Sequence, residues 1–289
     1  MEILKIDNLC KKYPTFSLKN ASFSINSEEI MDFISHNGAG KTTGLKPIMN
    51  LIHYDSHTIC TFGKDMKKYE NENNQCIDFS LNKLNYYPNK TIKELMRITK
   101  RFYKNFSDEK FNEACRIFNL DLNKKLEQLS SGMKVKFSVA IALSHEAELL
   151  ILDEPTSGLD PISRDEVLDI FKSIVKNGER AILFSTHITS DLDKCATDIA
   201  FIHNGIIYYS GTKDNLINSY KYISLQDIPN DLKRNFIAFK DENNLCEGLI
   251  KSEDANDFSQ AGITVKEPDL EQIMVYLERS MDKNEEFTL

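Results

Sequence analysis

The chain of 289 residues contains no apolar run long enough to span a bilayer. A spanning helix needs roughly 20 apolar residues, and the richest stretch here, Glu148 to Asp153 around Leu-Leu-Ile-Leu, falls far short of that. An excess of positive charge is also missing: 36 Lys and Arg stand against 44 Asp and Glu, a formal net charge of -8. That balance repels a polyanion, so a broad nucleic-acid-binding surface is excluded and only a small basic pocket is left. No C-x-x-C pair occurs among Cys10, Cys60, Cys76, Cys115, Cys195 and Cys246. Scattered thiols of this kind read as reduced, partly buried residues rather than a disulfide framework or a metal knot. Met1 to Leu9 alternates charged and apolar residues and lacks the apolar block and small-residue cleavage site of a secretory signal, which predicts a cytoplasmic protein. No internal repeat is visible. The polar stretch Lys67 to Gln75 reads as a surface loop.

What is present is an ordinary folding composition, 41% hydrophobic and 28% charged, with length for one large domain or one domain and an appended piece. Short apolar or alternating runs at Ile3 to Ile6, Phe16 to Ile25, Ile30 to Ile34 and Thr58 to Phe62 predict strands. From Thr91 the period lengthens. Ile92, Leu95, Ile98, Phe102 and Phe106 recur at three- and four-residue steps, as do Phe111, Ala114, Cys115 and Phe118, which predicts amphipathic helices. The runs Leu149 to Leu152 and Ala181 to Phe184, separated by a helix from about Ser163 to Lys176, carry the βαβ pattern of a parallel sheet. After Gly211 the strand signal weakens until a last helical pattern at Leu270, Ile273, Met274 and Leu277. The expected organisation is therefore an α/β domain over 1–211, interrupted by helices over about 84–146, and a small subdomain over 212–289.

Ser35-His36-Asn37-Gly38-Ala39-Gly40-Lys41-Thr42 follows the predicted strand Ile30 to Ile34 and precedes a helical pattern, the context a phosphate-binding loop requires. Gly38 and Gly40 let backbone N–H groups turn inward, Lys41 reaches the β- and γ-phosphates, and the Thr42 hydroxyl suits Mg²⁺. Leu149 to Leu152 ends in two adjacent carboxylates. In such a pair Asp153 serves the Mg²⁺ and Glu154 polarises the attacking water.

Leu129-Ser130-Ser131-Gly132-Met133 resembles the signature motif of ABC ATPases, and Ser157-Gly158-Leu159-Asp160 resembles their D-loop. The order of phosphate loop, helical insert, signature, acid pair, D-loop and then Ser185-Thr186-His187 is similar to that family across roughly residues 1–215. The resemblance implies a P-loop NTPase core with an N-terminal antiparallel β subdomain, a helical insert and a small C-terminal α+β extension. It further implies ATP as substrate with Mg²⁺, nucleotide contacts from Tyr13, Asn37, Gly38, Ala39, Gly40, Lys41, Thr42 and Thr43, and His187 as the switch histidine. Tyr13 takes the place of the aromatic residue that stacks on adenine. Ser130, Ser131 and Gly132 would cover the γ-phosphate of a second subunit, because a helix start presents N–H groups and a positive dipole end. A chain with one set of motifs thus implies a homodimer or heterodimer of ATPase domains. It would sit at the inner face of the membrane, touching it only through a separate transmembrane ABC subunit that it drives through a coupling groove beside the helical insert. Thr91 to Asn105, the Ser-Gly-Met signature variant and the Glu-Pro-Asp-Leu-Glu-Gln-Ile tail resemble the ABC-2 exporter type, including antibiotic-peptide pumps.

Four positions depart from the family pattern. Ser35 stands where the phosphate loop normally begins with Gly, which costs on the order of 1 kcal/mol if the position needs positive φ. Asp32 falls inside a strand expected to be buried. Pro47 lies about two turns into the following helix, where a proline costs roughly 3 kcal/mol. Asn82 aligns with the glutamine that contacts Mg²⁺ or its water. These departures leave two expectations open: an active motor subunit of an exporter, or a nucleotide-binding subunit with weak hydrolysis.

Overall fold

The computed structural model describes residues 1–12, 17–34, 45, 56–80, 87–176, 178–226, 228–242 and 245–286. They fall into two units, Met1–Ser210 and Gly211–Leu289.

The first unit opens with β1 (Glu2–Lys12), β2 (Ser17–Asn26), β3 (Ile30–Ile34), β4 (Ser56–Thr61) and β5 (Lys64–Asp65). Four of these form an antiparallel sheet in the order β2-β1-β4-β5. Its strands alternate as a half-buried sheet must: in β2, Leu18, Ala21, Phe23 and Ile25 point to the core while Lys19, Asn20 and Ser22 are exposed.

β3 leaves that sheet for another, built with β6 (Ile77–Ser80), β7 (Leu149–Asp153), β8 (Ala181–Ser185), β9 (Asp198–His203) and β10 (Ile206–Thr212) in the order β10-β9-β3-β8-β7-β6. From β9 across to β6 the pairing is parallel. Every residue of β3, β7, β8 and β9 is buried, the continuous apolar pattern of a sheet covered on both faces. Asp32 is among them. It lies level with Phe184 and Ile199, and the strand is unbroken around it.

The stretch expected as a surface loop, Lys67 to Gln75, contains a short helix, α1 (Glu70–Asn73), with Asn73 buried. The Asp65 carboxylate starts the turn by accepting the N–H groups of Lys67 and Lys68 at 3.0 and 2.9 Å. Four helical residues are too few for periodicity to register. α2 (Ile92–Thr99) begins at a capping box in which Thr91 and Glu94 exchange hydrogen bonds. It ends well before the expected Phe106. The cause is Gln75, whose amide donates to the Phe102 carbonyl at 3.0 Å and accepts the Lys104 N–H at 2.8 Å, drawing those backbone groups out of the helix.

α3 (Asp108–Ile117), capped by Ser107, and α4 (Ser131–Ser144), capped by Ser130, complete the helical insert. The three helices close around their own core of Ile92, Leu95, Phe111, Phe137 and Ile141. α5 (Pro161–Val175) starts two residues earlier than the sequence pattern suggests, because Asp160 caps it and Pro161 suits a first helical position. α6 (Thr189–Cys195) follows β8.

The second unit contains α7 (Lys213–Asn218), β11 (Tyr220–Leu225), α8 (Asn230–Lys233), β12 (Phe236–Glu242), β13 (Leu245–Lys251), α9 (Ala255–Gln260), β14 (Val265–Lys266) and α10 (Leu270–Glu286). Its four strands form an antiparallel sheet in the order β12-β13-β11-β14. The sequence signal for these strands is weak because Lys240, Asp241, Glu242 and Glu247 sit on their less buried positions. Ile223, Phe236, Cys246, Ile250 and Phe258 form the core beneath.

Candidate functional site

In an open parallel sheet, ligands gather beyond the carboxyl ends of the strands. β7 ends in Asp153, level with Ser185 at the end of its neighbour β8. Asp153 is buried, and the Ser185 hydroxyl donates to its Oδ1 at 2.7 Å. The next residue, Glu154, turns the chain with a φ of 51°. A side-chain-bearing residue persists in that region only where its surroundings over-determine it. Here they do: the Glu154 N–H donates both to the Ser185 carbonyl at 3.0 Å and to its hydroxyl at 3.2 Å.

The turn aims the Glu154 carboxylate at His187, whose Nδ1 lies 2.6 Å from Glu154 Oε2. A carboxylate only accepts, so Nδ1 carries the proton in this contact. Glu154 is largely buried and His187 exposed. The acid is therefore shielded while the imidazole can meet a ligand.

Ser157 closes the loop by donating its N–H to the Glu154 carbonyl at 3.2 Å, and Gly158 takes a φ of 72°. Asp160 then accepts the N–H groups of Ile162 and Ser163 at 3.1 and 3.0 Å. The Ser163 side chain first, and these N–H groups after it, hold the Asp160 carboxyl below the usual range. Ser130 caps α4 by accepting the Met133 N–H at 3.2 Å; Ser130 and Ser131 are exposed and Gly132 is buried. A Cβ on Gly132 would lie 3.2 Å from Ser163 Cβ, so the start of α4 packs closely on the start of α5. The Ser130–Gly132 turn and the turn around Leu159 and Asp160 thereby meet within one chain.

The structure thus brings together Asp153, Glu154 and His187, and separately Ser130, Ser131 and Gly132 with the Asp160 turn. Tyr13, Ser35, Asn37, Gly38, Ala39, Gly40, Lys41, Thr42, Thr43, Pro47 and Asn82 lie outside the described residues. β3, which leads into residue 35, is the other neighbour of β8. The carboxyl end of β3, at Ile34, therefore lies on the same edge of the sheet as Glu154 and His187.

Three side chains in this region carry no signal in the sequence. Thr156 donates its hydroxyl to Asp191 Oδ2 at 2.6 Å, and both residues are fully buried. Arg164 Nε lies 3.9 Å from Asp191 Oδ1. A threonine in a loop and an aspartate on a short polar helix read as surface residues, and only the tertiary structure joins them.

A parallel sheet whose adjacent strand ends present a buried aspartate and a glutamate bonded to a histidine, with a glycine-rich segment following β3 in the sequence, has the features of a nucleoside-triphosphatase of the P-loop class. A model of the ABC transporter family matches residues 18–157. The chain is 30% identical over 208 residues to the ABC transporter ATP-binding protein YtrB of Bacillus subtilis, covering 72% of this chain and 71% of YtrB. It is 31% identical over 228 residues to the bacitracin transport ATP-binding protein BcrA of Bacillus licheniformis, covering 78% of this chain and 74% of BcrA. Among solved structures, an ATP-binding subunit of an ABC transporter matches with a TM-score of 0.67 at 26% identity, over 74% of this chain and 91% of that one. The chain belongs to the ATP-binding proteins of the ABC transporter family. It binds ATP and is an ATPase whose hydrolysis is coupled to transport. Among the described residues no helix is long and apolar enough to cross a membrane.

Proposed function

We propose that Glu154 and His187, beside Asp153 and the phosphate loop around Lys41, form the hydrolytic site of an exporter's motor subunit. The 2.6 Å contact between His187 and Glu154 carries this reading. Held through Oε2 by His187, Glu154 would accept a proton from the attacking water. When the imidazole is protonated both its nitrogens donate, Nδ1 to Glu154 and Nε2 to a γ-phosphate. Water, carboxylate and phosphate are thus aligned by one side chain.

The carboxylate of Asp153, fixed by Ser185, belongs to the hard-oxygen donor set that suits Mg²⁺. Asp153, Thr42 and Asn82 would hold that ion or its water, and it would neutralise phosphate charge. Tyr13 would stack on adenine, and Asn37 to Thr43 would cradle the phosphates. Ser130, Ser131 and Gly132 would complete the site of a second ATPase domain, docked head to tail.

The helical insert carries a groove of about 360 Å³ lined by Phe79, Leu95, Phe137 and Ile141, with exposed Tyr87 and Phe102 beside them. Such a surface suits the transmembrane subunit and would hold this chain at the inner face of the membrane. BcrA, named for bacitracin transport, points to export of an antibiotic peptide. We assign residues 212–289 an accessory role.

Steady-state ATP turnover of the purified chain against Glu154→Gln tests the site. Turnover should fall by about 10²-fold or more with nucleotide affinity retained. Equal turnover in the two proteins would remove Glu154 from the chemistry and favour the weakly hydrolysing reading.

A further inference from the structure

We infer that Thr156, Asp191 and Arg164 form a buried latch, with Asp191 as its positioning residue, that sets the Glu154–His187 pair for hydrolysis. The inference rests on the reading of Glu154 and His187 given above. Each member of the latch stands close in sequence to a different residue of the site: Thr156 two residues after Glu154, Asp191 four after His187, and Arg164 four after Asp160. Three separate segments, following β7, following β8 and opening α5, are thereby tied at one buried carboxylate.

The links are short and rigid. Asp191 Oδ2 accepts the Thr156 hydroxyl at 2.6 Å. The Asp191 N–H donates to the Ile188 carbonyl at 3.0 Å, so the residue is fixed to the turn that follows His187. The Thr156 carbonyl accepts the Leu159 N–H at 3.2 Å, and the Arg164 N–H donates to the Asp160 carbonyl at 3.0 Å. A displacement of Asp191 is therefore passed to the loops that carry Glu154, His187 and Asp160. A misplacement of about 1 Å at a reacting group can cost on the order of 10²-fold in rate.

Burial alone pushes the Asp191 carboxyl up, and the Thr156 hydroxyl, then Arg164, then Lys194 and His187 act against it. A carboxylate in such a place is costly unless it is paired and hydrogen-bonded, which ties its position to the segments that supply its partners. One contact is still open. Asp191 Oδ1 and Arg164 Nε, 3.9 Å apart, are both buried without a hydrogen-bond partner among the described residues. A shift of about 1 Å would bring them to bonding distance. The latch closes when the opening of α5 shifts so that Arg164 Nε reaches Asp191 Oδ1.

The test is ATP turnover of the full chain and its variants over a range of ATP concentrations, with thermal melts in parallel. Thr156→Val and Asp191→Asn should each lower kcat about tenfold while KM for ATP stays within about twofold. Thr156→Ser, which keeps the hydroxyl, should restore the parental kcat. The double variant should be no slower than the worse single one, because both break the same link. Should Thr156→Val fail to fold, Arg164→Gln, on a partly exposed side chain, is expected to show the same loss in kcat. A kcat within about twofold of the parent in the folded variants, or a loss confined to KM, would overturn the latch. Glu154→Gln run alongside separates the two readings. If it turns over like the parent, the site assignment itself fails; if it is silent while the latch variants are unimpaired, only the latch fails.

Discussion

A Cβ built on Gly205 would lie 1.8 Å from the Ser17 carbonyl oxygen, and the residue takes a φ of 79°. Its own carbonyl accepts the Lys19 N–H at 2.7 Å, so the turn after β9 is stitched to β2. Gly205→Ala combines a left-handed backbone penalty with a backbone clash and should cost about 3 kcal/mol. Urea unfolding would register this as a lower midpoint at unchanged slope, whereas a midpoint within experimental error of the parent would show that the turn can retreat. The same scale explains which site residues were readable. Asp153 and Glu154 stand out in sequence because two acids end an apolar strand, and His187 because it follows another. Nothing in sequence indicates that Glu154 adopts positive φ, or that Thr156 and Asp191 meet, since both facts arise from segments about 30 residues apart closing on each other.

At the scale of elements, patterns were legible where burial is one-sided or complete. The three strands that end at the site, β3, β7 and β8, are five-residue blocks and fall where the apolar runs put them, whereas β9, equally buried, was not expected from the sequence. Helix ends were less legible, because they depend on distant side chains such as Gln75, and the mixed strands after Tyr220 were read too weakly because polar residues occupy their outer positions. α2 offers a test of what fixes an end. Its Glu94 is held down to about 2, first by the Thr91 backbone N–H and then by Lys90. A carboxyl depressed in the folded state contributes stability above its unfolded value near 4.5 and loses it as pH falls toward about 2. Glu94→Gln should therefore melt lower than the parent at pH 7. The gap should close through that window, where both side chains become neutral. A gap that persists undiminished at the acid end would mean that charge plays no part in the cap.

For the whole molecule, the order of motifs along residues 1–215 identifies the family because each motif sits at a fixed place in one fold. What sequence order leaves unresolved is whether one chain completes the proposed site, since Ser130 to Gly132 are assigned above to the nucleotide of a second subunit. The Ser130 turn is exposed, and beside the Asp160 cap Ile162 is 74% exposed at the start of α5. An isolated large aliphatic side chain there gains by burial, about 1.5–3 kcal/mol for an isoleucine removed from water. A second copy docked head to tail would bury it while Ser130 and Gly132 cover the opposing nucleotide. Light scattering of Glu154→Gln with Mg-ATP should accordingly give twice the 33.2 kDa of one chain, and a single-chain mass without nucleotide. Ile162→Glu in that background places a charge in the contact and should weaken the dimer by about tenfold or more. Nucleotide affinity of the isolated chain should be unchanged, since Ile162 belongs to none of the segments assigned to the ATP that chain holds. If Ile162→Glu leaves the ATP-dependent dimer intact, the Asp160 turn does not face the partner subunit. The seat of the signature over a second nucleotide would then have to be sought elsewhere on the sheet's carboxyl edge.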